Sequence, residues 1–439
     1  MKIGVVSLGC AKNLVDTEIV LGFLVGAEHE IVNDPLRAEV IIVNTCGFIE
    51  DAKTESINTI LEMASYKENG SCKALIVMGC LSQRYAEELW KEIPEIDAML
   101  GTNELDLVPE VIERVMTGQR VLENRHELFD YNQQYSRVST TGSHFAYLKI
   151  AEGCSHSCAF CVIPSIRGKY RSREPEAIVS EARALVAQGV REIAIIAQDT
   201  TAYGRDLGTN IVELLKELAK LDVPRIRLLY TYPTSISDEL LGLINQEENL
   251  VKYVDLPLQH VSGNVLRKMK RPGDYKSTVA LIQRIRERIP GVFIRSSFIV
   301  GFPGETEEDF EELLRFLDEM KLNHVGIFMY SREENSIAYE YGDQVDGKTK
   351  RRRYEQAMQL QQRISQELNR QLVGQELEVL VEFPSEESEL AMVCRHSGQA
   401  PDVDGVVYVG RGILNPGDLV KVRITDSHAY DLVGEVVEE

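Results

Sequence analysis

The sequence predicts an α/β chain of 439 residues in three pieces, and two patterns carry that prediction. Short apolar runs rich in branched residues alternate with amphipathic stretches over much of the length, the pattern of parallel strands covered by helices. The second pattern is the distribution of charge. The chain has 48 Lys and Arg against 69 Asp and Glu, a formal net charge of -21. Residues 1–140 carry 12 basic and 23 acidic side chains, residues 373–439 carry 4 and 14, and the stretch between is balanced at 32 of each. At roughly 150 residues per domain, the length suits three units, here 1–140, 141–372 and 373–439.

Hydrophobic residues make up 44% and charged residues 27%, a globular balance. The acidic excess argues against a nucleic-acid surface spread over the whole chain and leaves room for a basic protein partner. The start, MKIGVVSLGC, lacks a basic segment, apolar stretch and cleavage site. No apolar run approaches the ~20 residues that span a bilayer. A cytoplasmic location without membrane contact is expected.

In the first unit, apolar runs end at Cys10 (after Ile3 to Gly9), Cys46 (after Val40 to Thr45) and Cys80 (after Ala74 to Gly79). Each is followed by a helical pattern: Asn13 to Leu24, Ala52 to Ser65 and Ser82 to Glu92. Open parallel sheets gather ligands beyond the carboxyl ends of their strands, so these three thiols are candidates for one shared site. Gly9, Gly47 and Gly79 adjoin them and would let the backbone approach a bulky ligand. Ordinary packing as small buried hydrophobes is the competing reading. Cys72 and Cys394 have no such context.

The middle unit opens with Phe145–Ile150 and then Cys154-Ser-His-Ser-Cys158-Ala-Phe-Cys161. Three thiolates at this spacing suit one face of a cubane iron–sulfur cluster. A closed zinc site would need a fourth ligand, and His156 inside the loop is awkwardly placed to supply it. Further strands are expected at Glu192–Gln198, Ile226–Tyr232, Tyr253–Leu258, Val292–Val300 and His324–Tyr330. Helices are expected at Pro175–Gln188, Ile211–Lys220, Tyr275–Arg288 and Glu307–Lys321. Six βα units predict a complete or partial parallel barrel with its site at the carboxyl ends of the strands. Gly301 and Gly304, in Ile299-Val-Gly-Phe-Pro-Gly-Glu305, read either as close approach to a flat ligand or as a turn.

The Cys154, Cys158, Cys161 loop after the first strand of a six-unit barrel resembles the radical S-adenosylmethionine enzymes. Across nearly the whole chain the resemblance is to their methylthiotransferases: SLGCAKNLVDTE, VNTCGFIEDAK and GCLSQRY in the first unit, EGCSHSCAFCVIPSIRGKYRSR and IVGFPGET in the second. The segment from Val373 resembles a TRAM domain, a small antiparallel β-barrel. The implied fold is α/β: an N-terminal open parallel α/β sheet, a central partial (β/α)6 TIM-like barrel of radical-SAM type, and that terminal barrel.

The resemblance implies two [4Fe-4S] clusters, one on Cys154, Cys158 and Cys161 that binds S-adenosylmethionine, and a second on Cys10, Cys46 and Cys80 that presents sulfur. It further implies methylation of that sulfur by a first S-adenosylmethionine before a second generates the radical. A reductant and a sulfur donor are required. Phe160 resembles the aromatic residue that packs near the adenine, with loop packing as its alternative. Gln198 and Arg295, at later strand ends, are candidates for hydrogen bonds to the cofactor or for structural roles.

Two features bear on substrate. Asp255-Leu-Pro-Leu-Gln-His260, Gln198-Asp-Thr200 and Arg295-Ser-Ser-Phe298 resemble the branch that modifies an aspartate of small-subunit ribosomal protein S-twelve, rather than the tRNA adenosine branch. The acidic terminal module would repel RNA phosphates and attract that basic protein, so tRNA is the lesser candidate. A non-catalytic iron–sulfur carrier is the reading from another class. The stretch Cys394 to Pro401 departs from relatives, which are richer in Arg before the Ala-Pro, so no partner contact is carried over to it. His260 reads as substrate-facing or structural. The basic run Lys348 to Arg353, opening a polar helix through Tyr354 to Leu372, reads as a solvated helix start or an RNA contact.

Overall fold

The computed structural model describes residues 1–439 except 125–127, 134, 143, 387, 389, 411, 413 and 438–439. Its N-terminal sheet has six strands, all neighbours parallel, in the order Glu30–Ile31, Lys2–Ser7, Val40–Thr45, Ala74–Gly79, Ala98–Leu100, Val121–Glu123. Val40–Thr45 and Ala74–Gly79 are buried at every position. Their sequences run apolar without alternation because helices cover both faces. Glu50–Asn69 and Cys80–Glu92 close one face through Ile60, Met63, Leu81 and Leu89.

Helices Ala11–Gly26 and Val108–Met116 close the other. The first begins earlier than its apolar pattern suggested, with Cys10 as N-cap and no side-chain cap bond. Its buried residues include Lys12, Asn13, Asp16, Thr17 and Glu18. Polar side chains are tolerated there because the outer face of this helix meets the mouth of the central barrel instead of water. Val15, Ile19, Val20 and Leu24 each contribute about 2 kcal/mol on burial.

Six parallel strands form the central half-barrel, in two triplets joined by a single Ile226–Leu250 bridge: Arg225–Leu228, Glu192–Ile196 and Phe145–Lys149, then Tyr253–Asp255, Phe293–Val300 and His324–Met329. Five strands stop short of the expected ends, and the two that do so by three residues or more have local reasons. The third leaves its ladder at Leu229 because Tyr230 takes a left-handed φ of 57°. The fourth ends at Asp255, two residues before Pro257, which has no N–H to donate. Helices Pro175–Ala187, Ile211–Leu218, Tyr275–Arg288 and Glu307–Met320 pack outside.

The linking helix runs Gly347–Arg370, starting before Tyr354 because Asp346 caps it, accepting from the Lys348 and Thr349 amides. Much of the basic run is spent internally: Lys350 donates to the Tyr330 carbonyl, Arg352 pairs with Glu307, and buried Arg353 donates to the Glu305 carbonyl.

The terminal module is a closed five-stranded barrel in the order Glu376–Pro384, Ala391–His396, Val407–Gly410, Leu432–Val436, Leu419–Ser427. Four neighbour pairs are antiparallel and one, Val407–Gly410 with Leu432–Val436, is parallel. An odd ring cannot alternate direction at every seam, so an all-antiparallel barrel of five strands is ruled out by parity.

This module closes the base of the half-barrel. Arg225 donates to the carbonyls of Arg395 (3.0 Å) and Glu378 (2.9 Å), and Arg227 to that of Ser397 (3.0 Å). Arg395 pairs with Glu192 (3.2 Å) and Glu382 (2.7 Å). The departing stretch Cys394 to Pro401 therefore faces inward. One apolar cluster runs from Ile19 and Leu24 through Tyr147, Ile196 and Tyr253 in the lumen to Ala400.

Candidate active site

The three strand-end thiols of the first unit are gathered by one side chain. Asn13, in the first turn of Ala11–Gly26, donates to the carbonyls of Leu8 (3.0 Å) and Thr45 (2.8 Å), bracing two strand-end loops, and its Oδ1 lies 3.6 Å from the Cys80 thiol. Asn44 donates back to the Asn13 carbonyl (2.9 Å), and the Ser56 hydroxyl bonds the backbone on both sides of Cys46. The neighbouring glycines serve this convergence rather than a ligand. A Cβ on Gly9 would stand 2.7 Å from that of Cys46, and one on Gly47 2.7 Å from Cα of Leu81.

The loop triad hangs from the first barrel strand. Its backbone is pinned by Cys154 N–H to the Gly168 carbonyl (3.1 Å), Ala159 N–H to Met269 (2.9 Å) and Ala338 N–H to Ala159 (2.8 Å). His156 is occupied elsewhere: its Nε2 lies 2.6 Å from Asp199 and its ring stacks on Tyr232 at 3.9 Å. It is a brace for the loop and no fourth ligand. Arg271 donates to the Pro257 carbonyl (2.7 Å) and approaches the Cys158 thiol at 3.6 Å.

Both triads open onto one cavity of about 370 Å³ lined by Cys10, Cys46, Cys80, Cys154, Cys158 and Cys161. Phe160 and Gln198 line it too. Gln198 donates to Glu152 (2.9 Å) while its amide oxygen, buried, has no partner. Arg295 does not line the cavity, which corrects its reading as a strand-end cofactor ligand. It stands near the start of Phe293–Val300, between Asp255 (3.2 Å) and Asp404 of the terminal module (3.4 Å). Gly301 and Gly304 also lie outside it, in a turn closed by Glu305 accepting from the Gly301 and Phe302 amides. His260 is fully buried, accepts from the Ser262 amide (3.0 Å), and is pushed down to about 4 by burial.

The residues that sequence reasoning passed over are the charged ones at the seam between the first unit and the barrel. Asp16 pairs with Lys149 and with Arg167 (3.0 Å), and Glu152 with the same two cations (2.8 and 3.0 Å). Although burial opposes it, Arg167 and Lys149 hold the Glu152 carboxyl well below the carboxylate range. Arg167 also donates to Asn13 (2.5 Å), reaching the first triad. Cys10 is accessible to solvent on the cavity wall yet surrounded by protein. Burial pushes its thiol up, but Lys12, Arg167 and the amides of Asn13 and Lys12 outweigh this and lower it. Cys80 and Cys161 are pushed up to about 12 by burial.

The donor set fits two cubane clusters. Six soft ligands face one chamber, and each triad leaves one corner of a cubane without a protein ligand. No three His, Cys, Asp or Glu among the described residues converge on a single ion. Ligation at Cys80 and Cys161 would displace protons.

Three family models match the chain: the radical SAM superfamily over residues 148–317, uncharacterized protein family UPF0004 over 2–101, and the TRAM domain over 373–437. Among solved structures, the chain is similar to the radical S-adenosylmethionine methyltransferase TsrM from Kitasatospora setae (TM-score 0.57, 15% identity, 86% of this chain and 80% of that one). It is also similar to the cobalamin-dependent S-adenosylmethionine radical enzyme OxsB (TM-score 0.55, 11% identity, 82% and 61%). These likenesses are of fold. The ribosomal protein uS12 methylthiotransferase RimO of Geotalea uraniireducens is 50% identical over 440 residues, covering 99% of this chain and 98% of that protein. That of Geobacter sulfurreducens is 49% identical over 440 residues, again 99% and 98%. With such identity along its whole length, the chain belongs to the RimO family of ribosomal protein uS12 methylthiotransferases.

Proposed function

We propose that the chain attaches a methylthio group to the β-carbon of an aspartate in ribosomal protein uS12, in the cavity between the two triads. The observation that carries this reading is the six thiols facing one chamber of about 370 Å³. Sulfur insertion at an inert C–H needs a radical source and a sulfur source within reach of one carbon. Cys154, Cys158 and Cys161 would hold the [4Fe-4S] cluster that binds S-adenosylmethionine, and Cys10, Cys46 and Cys80 the second [4Fe-4S] cluster. Bound there, these groups supply hydrogen abstraction, sulfur and methyl.

The chain's own residues orient and shield. Gln198 has a buried amide oxygen without a partner, which would accept from an N–H of the cofactor. Phe160, Phe48, Ile163, Tyr230 and Tyr232 line the chamber and exclude water, as radical chemistry requires. Arg271 sets positive charge against Cys158, and Arg167 against Cys10 and Cys80.

The division into 1–140, 141–372 and 373–439 matches these roles: sulfur presentation, radical generation and partner docking. The outward acids of the terminal module, among them Glu386, Asp426 and Glu435, are available to a basic protein. Asp402 and Asp404 are engaged against the barrel, and Glu382 is paired with Arg395 of its own module. No helix among the described residues is long and apolar enough to cross a membrane. Action in the cytoplasm, with a cellular reductant and sulfur donor, completes the reading. The test is mass spectrometry after anaerobic reconstitution with S-adenosylmethionine and reductant. The expected result is a methylthio gain on an aspartate of uS12. A gain on tRNA alone refutes it.

A further inference from the structure

Among the described residues, Lys12 and Arg271 line the cavity without a carboxylate partner, and of the two only Lys12 also lacks a hydrogen bond. Arg167 is held by Asp16, Glu152 and Asn13. Arg271 is held by the Pro257 carbonyl and the Tyr232 ring. Lys12 is only 8% exposed, and its ammonium makes no hydrogen bond or ion pair with any described residue. The neighbouring carboxylates are already committed: Asp16 and Glu152 to Lys149 and Arg167, Asp255 to Arg295 and to the Tyr230 amide; the remaining acidic neighbour is the Cys10 thiol, which the proposed cluster would take as a ligand.

What holds Lys12 is a ring. Its Nζ lies 3.0 Å from the centroid of Tyr230, whose left-handed backbone is fixed by that amide bond to Asp255 (2.8 Å). A ring face orients an ammonium without cancelling its charge. A buried, unpaired ammonium is costly, so a site that retains one in a chamber wall is built to receive an anion.

We propose that Lys12 binds the side-chain carboxylate of the residue being modified and thereby selects aspartate. This rests on the function proposed above and deepens it. In that reaction the carbon that receives sulfur is bonded directly to the carboxylate carbon. Placing it between the triads carries the carboxylate into the same chamber. Of the other polar side chains there, the Gln198 amide oxygen, Gln259 and Ser297 are uncharged, and the Thr231 hydroxyl already donates to the Asp255 carbonyl (2.6 Å). An adenine ring would bring no anion for Lys12.

The test uses reconstituted enzyme without reductant, so that binding is read without turnover. Two peptides spanning the target site of uS12, identical except for Asp or Asn at that position, are titrated by calorimetry. Wild type is expected to bind the Asp peptide at least about tenfold more tightly, the scale of a charge-assisted hydrogen bond. In Lys12→Met the preference should fall to near unity, and Lys12→Arg should restore part of it. Iron content of Lys12→Met should equal that of wild type. If Lys12→Met keeps the preference, or loses the iron of the first triad, Lys12 does not read the substrate and the proposal falls alone. If wild type itself does not distinguish the peptides, the functional reading fails with it.

Discussion

The half-barrel is finished differently at its two ends. At the mouth, loops and strand ends surround a chamber whose wall keeps an ammonium on Lys12 and an amide oxygen on Gln198 without partners. At the base, Glu192, Arg225 and Arg227 meet Arg395, Glu378 and Glu382 of the terminal module, three cations against three anions. Despite burial, Arg227 and Arg395 hold the Glu192 carboxyl down to about 2. Each unpaired buried polar group costs about 1–3 kcal/mol. The base pairs its charges within the chain, leaving one Arg227 nitrogen without a hydrogen bond, whereas the mouth leaves an ammonium and an amide oxygen to be offset by what binds.

The largest break in that contrast is at the mouth. Substituting Ala for Cys154, Cys158 or Cys161 should reduce 5′-deoxyadenosine formation, measured by chromatography, to background. Ala at Cys10, Cys46 or Cys80 should leave that cleavage standing while abolishing the methylthio product. If the second set also stops cleavage with the loop cluster's iron intact, the two triads are not independent in the way their separate anchoring implies.

A smaller effect is expected at the base. Arg395→Met deprives Glu382 and Glu192 of their shared cation, and stranding a buried charge costs about 3–5 kcal/mol. The urea midpoint should fall accordingly. Adding Glu382→Gln should return part of the loss. A double variant no more stable than the single would mean that packing, not charge balance, holds the terminal module.

The mouth was more legible in the sequence than the base, for physical reasons. Cys154, Cys158 and Cys161 lie within one loop, so their spacing alone encodes their geometry. Cys10, Cys46 and Cys80 were readable as strand-end residues, but their convergence is enforced by Asn13, which looks like any residue of a helix start. Lys12 was equally silent, since an unpaired cation is visible only once its surroundings are known. Arg295 was misread because five residues of its strand follow it, which sets it toward the base. There it meets Asp404, whose position depends on how a separate barrel docks. The alternating Arg225 and Arg227 did carry a signal. Charges on the lumen face of a buried strand imply a polar plug, although they do not say which segment provides it.

The smallest effect concerns the base and acid. His144 precedes the first barrel strand and lies between Phe145 and Phe383 of the terminal module, with ring centroids at 5.2 and 6.5 Å. Burial, and then the charge of Arg395, push it down to about 4 from its ordinary 6.5. The unfolded chain therefore takes up a proton below pH 6.5 that the folded chain refuses until about pH 4. Stability falls as pH drops through that window, by up to about 1.4 kcal/mol per unit from this one group. His144→Gln, which cannot titrate, should flatten the urea midpoint against pH between 6.5 and 4 without altering it in the same way above pH 7. An acid limb as steep in the variant as in wild type would assign the loss to other groups at the base, with Glu192 expected to contribute only at lower pH, as its own carboxyl begins to protonate.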